Sequence, residues 1–167
     1  MKYFFIVCFT FFIEQCNQDY YSALEKGDFA GNAFATLNYE VIANCTYPKW
    51  IEHSGGRSKF IDELKQEFHR FESTNSVISG FTFDNTVSEP IRNGSLRIYV
   101  LPLKLKTVTA GVIFNENYYL IAISEDGKNW SFVHTRRSNE NESKVQDILT
   151  MFPALNGKIE WIFYTTR

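Results

Sequence analysis

The spacing of apolar residues changes twice along this chain. Tyr20–Lys26 predicts a short helix stopped by Gly27. Asp28 predicts the cap of a second helix, Phe29 to about Leu37, with Phe29, Ala33, Phe34 and Leu37 on one face. Over Glu40–Tyr47 the pattern turns to alternation, Val41, Ala43, Cys45 and Tyr47 against Glu40, Asn44 and Thr46, which predicts a short strand blurred by Ile42. Pro48 ends it, and Trp50–Gly56 reads as a linking turn closed by Gly55-Gly56. The clearest helical period follows over Ser58–Glu72. Its stripe is Phe60, Ile61, Leu64, Phe68 and Phe71, with Lys59, Asp62, Glu63, Lys65, Gln66, Glu67 and Arg70 largely away from it and His69 solvated beside it.

From Val77 onward the pattern is β. Val77–Val87, Leu96–Lys106, Val108–Asn115 and Tyr118–Ser124 read as strands rich in branched and aromatic residues. Asn93-Gly94, Asn115-Glu116-Asn117 and Asp126-Gly127 read as turns, with Trp130–Thr135 the return strand of the last hairpin. A polar loop (Ser138–Ser143), a helix (Lys144–Phe152) and a final strand (Lys158–Thr165) complete the pattern. Helices followed by an antiparallel meander predict an α+β domain. On β residues 96–106 the side of Tyr99, Leu101, Leu103 and Leu105 reads as core, and Lys104 and Lys106 mark the wet side.

The residues before this pattern read differently. Tyr3–Ile13 is an uncharged apolar run after Met1-Lys2, the length of a signal-peptide core and too short to span a bilayer. Cys16 stands just beyond it, where the chain turns polar. The layout resembles a bacterial lipoprotein signal that ends at a lipidated Cys, although Glu14-Gln15 replaces the small residue such signals carry. The expected division is a signal peptide over 1–16 and one domain over 17–167. Cys8 and Cys16 then belong to the leader, which leaves Cys45 alone, without a disulfide partner or a Cys-based zinc site. It reads as a small buried hydrophobe.

Composition narrows the function classes. The 167 residues suit one domain, and 44% hydrophobic with 22% charged is a globular mixture. A net charge of −2 leaves no basic footprint for nucleic acid. Aromatics reach 17% and stay abundant once the six in the leader are set aside, which points to an aromatic-lined interior.

Thr46-Tyr47-Pro48, Gly55-Gly56, Val100-Leu101-Pro102, Ser124–Phe132 and Met151-Phe152-Pro153, in that order, resemble exported NTF2-like proteins of Bacteroidetes-type bacteria, a superfamily that includes ketosteroid isomerase and SnoaL-like relatives. The resemblance spans residues 19 to 165. It implies a cone in which N-terminal helices pack on a curved antiparallel sheet, with a mouth that admits a small molecule. It also implies an exported protein, periplasmic or envelope-associated in a Gram-negative bacterium, and dimerisation through an outer sheet face that Ile98, Val100, Ile113, Ile121 and Ile123 would supply. The fold by itself does not imply a function.

Candidate chemistry is sparse. Ser124–Trp130 comes within one residue of an Asp-box but reads as a hairpin turn. Trp130, Phe132 and His134 fall on one strand face, so His134 is the candidate general base, with no carboxylate on its own strand face to orient it. The Asp base and oxyanion-hole pair of ketosteroid-isomerase chemistry has no counterpart that can be placed here. Tyr47 and Trp50 join Tyr99, Trp130, Phe132 and His134 as the candidate ligand pocket. His53 beside Glu52 reads as a surface pair, and the three histidines lie at no metal-ligand spacing. No phosphate loop or nucleophile elbow occurs, and no cofactor is implied.

The expectation is a domain that binds a small apolar ligand in an aromatic-lined cone or serves as an envelope binding module. The alternative is a small isomerase or dehydratase with His134 as base and Tyr47 or Tyr99 as proton donor. A third reading is an interaction module whose outer sheet face pairs with an envelope partner.

Overall fold

The computed structural model describes residues 3–84, 89–136 and 142–160. The architecture is α+β, helices packed on an open, curved antiparallel sheet. The helices are α1 (Tyr3–Ala35), α2 (Tyr39–Cys45), α3 (Pro48–His53), α4 (Arg57–Ser73) and α5 (Glu142–Met151). The strands are β1 (Ser76–Phe83), β2 (Ile91–Asn93), β3 (Leu96–Thr109), β4 (Val112–Ser124) and β5 (Ser131–Arg136). The sheet runs β1-β3-β4-β5, and β2 joins β3 beside β1, at the opposite end of β3. Pro102 sits inside β3 at the break between its two neighbours. Its carbonyl accepts from Asp84 N–H, so its missing donor faces the same side, where it leaves no ladder bond unmade.

Where two helices were expected, α1 is one, and it passes through Gly27 unbroken. Gly27 and Gly31 lie one turn apart on the face against the sheet. A Cβ on Gly27 would stand 3.2 Å from Leu101 Cδ1, and one on Gly31 would stand 2.6 Å from the Phe81 ring. Glycine here permits close approach and costs about 1 kcal/mol of helix propensity. Tyr20, Ala23, Ala30, Ala33 and Phe34 complete the buried stripe, while Phe29, expected on it, is exposed. The helix ends with Leu37 at φ 52°, its N–H bonded to Phe34 O and Asn38 N–H to Ala33 O. The expected leader boundary at Cys16 falls inside α1. Among the described residues no helix is long and apolar enough to cross a membrane.

The expected strand over Glu40–Tyr47 is α2. Asn38 caps it by accepting from Val41 N–H, and Ile42 and Ala43 are buried side by side, which a half-buried strand cannot do. Only Thr46-Tyr47 is extended, in a parallel bridge to Phe132 on the edge of β5 away from β4. The expected turn after Pro48 is α3, with Pro48 at its first position. Helix α4 agrees with its expectation, and its stripe Phe60, Ile61, Leu64, Phe68 and Phe71 is buried.

In the meander the break expected at Lys106-Thr107 does not occur. Strand β3 continues to Thr109 and turns at Ala110-Gly111, φ 48° and 80°, so Asn115-Glu116-Asn117 lies within β4 instead of forming a turn. Both central residues are left-handed, the primed turn that matches strand twist, and Ala110 takes the position usually given to Asn or Gly. The β4–β5 connection is a six-residue loop rather than a tight Asp-Gly turn. Asp126 accepts from the backbone N–H of Asn129 and Lys128, from Asn129 Nδ2 and from Ser124 Oγ. These bonds, the Asn129 backbone first, hold its carboxyl well below the usual carboxylate range. Gly127, at φ 75°, leaves room for the Asp19–Arg97 ion pair (2.6 Å), which ties α1 to β3.

Both faces of the sheet are buried at its centre. Tyr99, Leu101, Leu103 and Leu105 face α1 and α4, as expected. Ile98, Ile121 and Ile123 on the other face are also buried, which corrects their assignment to a dimer interface. Phe152, Leu155 and Ile159, beyond α5, are buried in the same core, and Tyr119 OH donates to Glu160 O. Lys158–Glu160 is a turn and bend and not the start of a strand as expected, and residues 85–88, 137–141 and 161–167 lie outside the described residues.

Two outcomes follow from the turns. Ala110→Gly removes a left-handed Cβ clash and should raise unfolding free energy by roughly 0.5–1 kcal/mol, the gain being tempered by glycine's unfolded-state entropy; urea titration reads it. Asp126 is ionised in the folded state to lower pH than in the unfolded one, so its contribution is present above the unfolded carboxylate range and is lost as pH falls through its folded value. Asp126→Asn should therefore flatten the acid limb of the stability profile, and an unchanged slope would refute that role.

Candidate functional site

A cleft of about 310 Å³ opens between α3, α4, α5 and β5. Its apolar floor is Trp50, Phe60 and Leu64, and its polar wall carries Glu67, His134, Lys144, His53 and Asp147. Each group arrives by a separate element. Trp50 lies in the first turn of α3, two residues after the N-terminal Pro48. Glu67 stands on α4 at the spacing of Phe60, Leu64 and Phe71, so helical geometry carries it onto the buried side. His134 lies on β5 opposite Leu120, pointing to the inner face with Phe132.

His134 is 5% exposed. Its Nε2 lies 3.1 Å from Glu67 Oε2, and Lys144 Nζ lies 3.5 Å from the same oxygen. With Glu67 ionised, Nε2–H donates to it, and in the neutral ring the basic lone pair falls on Nδ1. The ring also meets Phe34 edge-on at 4.8 Å, so the histidine forms the wall between the cleft and the core. Asp147 of α5 pairs with His53 of α3 at 3.3 Å, both about half exposed. Two pairs thus dock α5 against α3 and α4. A carboxylate-held imidazole beside an apolar floor can bind a small amphipathic molecule or shuttle a proton for it.

The sequence-predicted pocket residues divide into three groups. Trp50 and His134 share the cleft. Tyr99 and Trp130 form a cluster with Tyr20, ring centroids 5.5 and 5.6 Å from Tyr99, and Trp130 Nε1 donates to Ser22 Oγ. Tyr47 packs on Phe152 and, with buried Phe132, covers the edge of β5 away from β4. Neither Tyr47 nor Tyr99 lines the cleft. The six therefore do not enclose one aromatic cone, because the inner face they were expected to line is occupied by α1.

Glu67, expected among the polar residues largely away from the stripe, instead lies on the cleft side of α4. Its signal was present: Phe60, Leu64, Glu67 and Phe71 recur at four, three and four residues. The carboxylate missing from His134's own strand comes from this helix. Burial pushes the Cys45 thiol up, which makes it a poor nucleophile, and the Cys16 side chain lies outside the described ones. His69 lies in a separate groove with Tyr39 and Lys65. Among the described residues no group of three His, Cys, Asp or Glu is placed to hold a metal ion.

Comparisons with known protein families, with curated proteins and with solved structures return no match to the chain.

Glu67→Ala removes the shared acceptor of His134 and Lys144 and should lower stability by about 1–3 kcal/mol. Hydrogen exchange checks the location: α5 amides should exchange faster while the β3–β4 core stays protected, and uniform loosening would refute Glu67 as the tie between α4, α5 and β5.

Proposed function

We propose that the chain is an exported NTF2-like domain that binds a small molecule in the α3–α4–α5 cleft rather than inside the sheet. The observation that carries this reading is the contrast between the two sides of His134. On the core side Phe34 closes the ring off, and on the other an open cleft of about 310 Å³ offers an apolar floor beside a charged wall. Cavities of this size hold small ligands, oriented by a few polar groups. The ligand expected is compact and amphipathic, its apolar body on Trp50, Phe60 and Leu64 and its polar group toward Glu67, His134 and Lys144. Export rests on the uncharged run Tyr3–Ile13, and superfamily membership on the ordered motifs together with helices packed on a curved antiparallel sheet.

The second reading, an isomerase- or dehydratase-type enzyme with His134 as base, is favoured by the His134–Glu67 distance of 3.1 Å. A carboxylate on Nε2 fixes the tautomer and leaves the Nδ1 lone pair to accept a proton. The tyrosine proton donors proposed with it do not reach the cleft, so Lys144 is the group that would hand a proton back.

Native mass spectrometry on the chain purified from its own envelope fraction tests the binding reading. The expected result is a reproducible added mass. His53→Trp, which crowds the rim, should cut its occupancy at least roughly tenfold, a loss of about 1.4 kcal/mol of affinity. Tyr47→Ala and Trp130→Ala should leave it in place. A clean wild-type mass overturns the reading, and loss in Trp130→Ala with retention in His53→Trp moves the ligand into the sheet interior.

A further inference from the structure

The end of the sheet farthest from Arg97 and Asp19 exposes apolar side chains on both faces, beside the hydrogen-bonded Ser76–Thr109 pair. Val112, Ile113 and Phe114, which open β4, are 55%, 65% and 51% exposed, and Val77 on β1 is 65% exposed. Strand register sorts them into two sets. Val77 pairs with Val108 and Val108 with Ile113, one row across three strands on the outer face. Val112 and Phe114, opposite Thr109 and Thr107, project from the inner face. A protein partner docking on a sheet covers one face. A tip that exposes apolar side chains on both faces suits a medium that surrounds it.

The charges behind the tip agree. Across residues 73–80 and 104–115 the ionisable side chains are Lys104 and Lys106 alone. Both are exposed, on the same outer face as Val108 and Ile113. They stand four and six residues before Ala110, about 13–20 Å back from the turn at the rise of an extended strand. Glu116, the first acidic residue beyond, is paired with Arg136 at 3.6 Å. A chain with net charge −2 therefore carries two exposed lysines on β3 here and, along the described hairpin, no acid before Glu116.

We propose that the β3–β4 hairpin tip is a peripheral contact with a bilayer rich in anionic lipid. Val112, Ile113 and Phe114 enter the headgroup–acyl boundary, and Lys104 and Lys106 rest at the lipid phosphates. Apolar side chains at such a boundary bury about 5–10 Å deep, which the tip reaches while the backbone edges stay in the hydrated layer. A lysine near an anionic surface strengthens partitioning roughly fivefold. This contact is separate from anything the leader residues do. The start of β3, where Asp19 of α1 pairs with Arg97, lies about 40 Å along the strand from the tip.

Because the apolar leader itself favours lipid, the readout must be local to the tip. Ile113→Trp in the full chain, mixed with vesicles of brominated phosphatidylglycerol and phosphatidylcholine, should show quenching of the added fluorophore, taken as the difference from the native chain. Brominated phosphatidylcholine alone should quench it far less. Lys104→Gln with Lys106→Gln should weaken the partitioning roughly tenfold or more, and Phe114→Ser should weaken it as well. All four side chains are exposed, so unchanged circular dichroism is expected throughout. An added fluorophore that lipid does not quench, or quenching indifferent to both lysines and lipid charge, overturns the proposal. So does a tip already shielded from iodide in a dimeric species without lipid, since a second copy would then cover it.

Discussion

The close approach of α1 to the sheet is the constraint on which the rest of the structure depends. Gly27 and Gly31 present no side chain toward Leu101, Phe83 and Phe81, so the helix axis settles nearer the strands than larger residues allow. Ala23 and Ala30 continue the same narrow face. The consequence is geometric: a helix lying this low packs directly on the inner face of the sheet, where Tyr99, Leu101 and Leu103 are buried. Interior volume that could have served a ligand is converted into close-packed core, where even one added methylene is felt. The open space on this side of the molecule is displaced outward, to where three shorter helices meet the last described strand.

That displacement explains the polar character of the cleft. A site inside the sheet would be walled by Tyr99, Leu101 and Phe132, all buried among apolar neighbours. The cleft is instead built where helices end and charged side chains from four elements converge. Glu67 is central because one oxygen serves both His134 and Lys144. A carboxylate only partly in contact with water is held there by two donors, which offsets its desolvation. The same pairs, with His53–Asp147, fix α5, whose buried Val145 and Ile148 are its hold on the core. Binding geometry and helix docking thus share residues, and a change at Glu67 acts on both.

How much of this was legible in the sequence follows from what each signal measures. Helix α4 could be read because its stripe is long and its period unambiguous. The α1 and α2 regions could not, for opposite reasons. Gly27 carries the local meaning of a helix stop, but a long-range contact with Leu101 sets its role here. The alternation around Ile42 mimicked a strand because seven residues are too few to separate a period of two from one of 3.6. The Ala110-Gly111 turn carries no Asn-Gly signal, and the asparagines at 115 and 117 carry a stronger local turn signal than the true turn does. For the site, His134 was legible as a face position on its strand. Its partner was not, since helix-to-strand proximity is a property of the packing, although a carboxylate on an otherwise apolar stripe was the mark to follow.

The two ends of the sheet show why burial is uneven. At the end where α1 meets the start of β3, Asp19–Arg97, the Asp126 loop and the Ser22–Trp130 bond close every element against its neighbour. At the other end the hairpin outruns its cover. On the inner face α1 ends at Ala35 and α4 at Ser73, beside the Ser76–Thr109 pair, while Val112 and Phe114 of β4 stay exposed, and the buried segment after α5 lies over the middle of the outer face, by Val100, Pro102 and Tyr119. Strand length, set by a fourteen-residue β3 and a two-residue turn, exceeds what the helices can shield. Sheets with such an exposed apolar end normally blunt it with charge, and here the lysines stand behind the apolar residues instead of among them. An end protected against self-association would carry Lys or Glu at Ile113 or Val77. Retaining branched and aromatic side chains there, in a turn that accepts the strain of a left-handed alanine, costs stability in water without any return from the fold itself, and this is the argument for a second environment at that end.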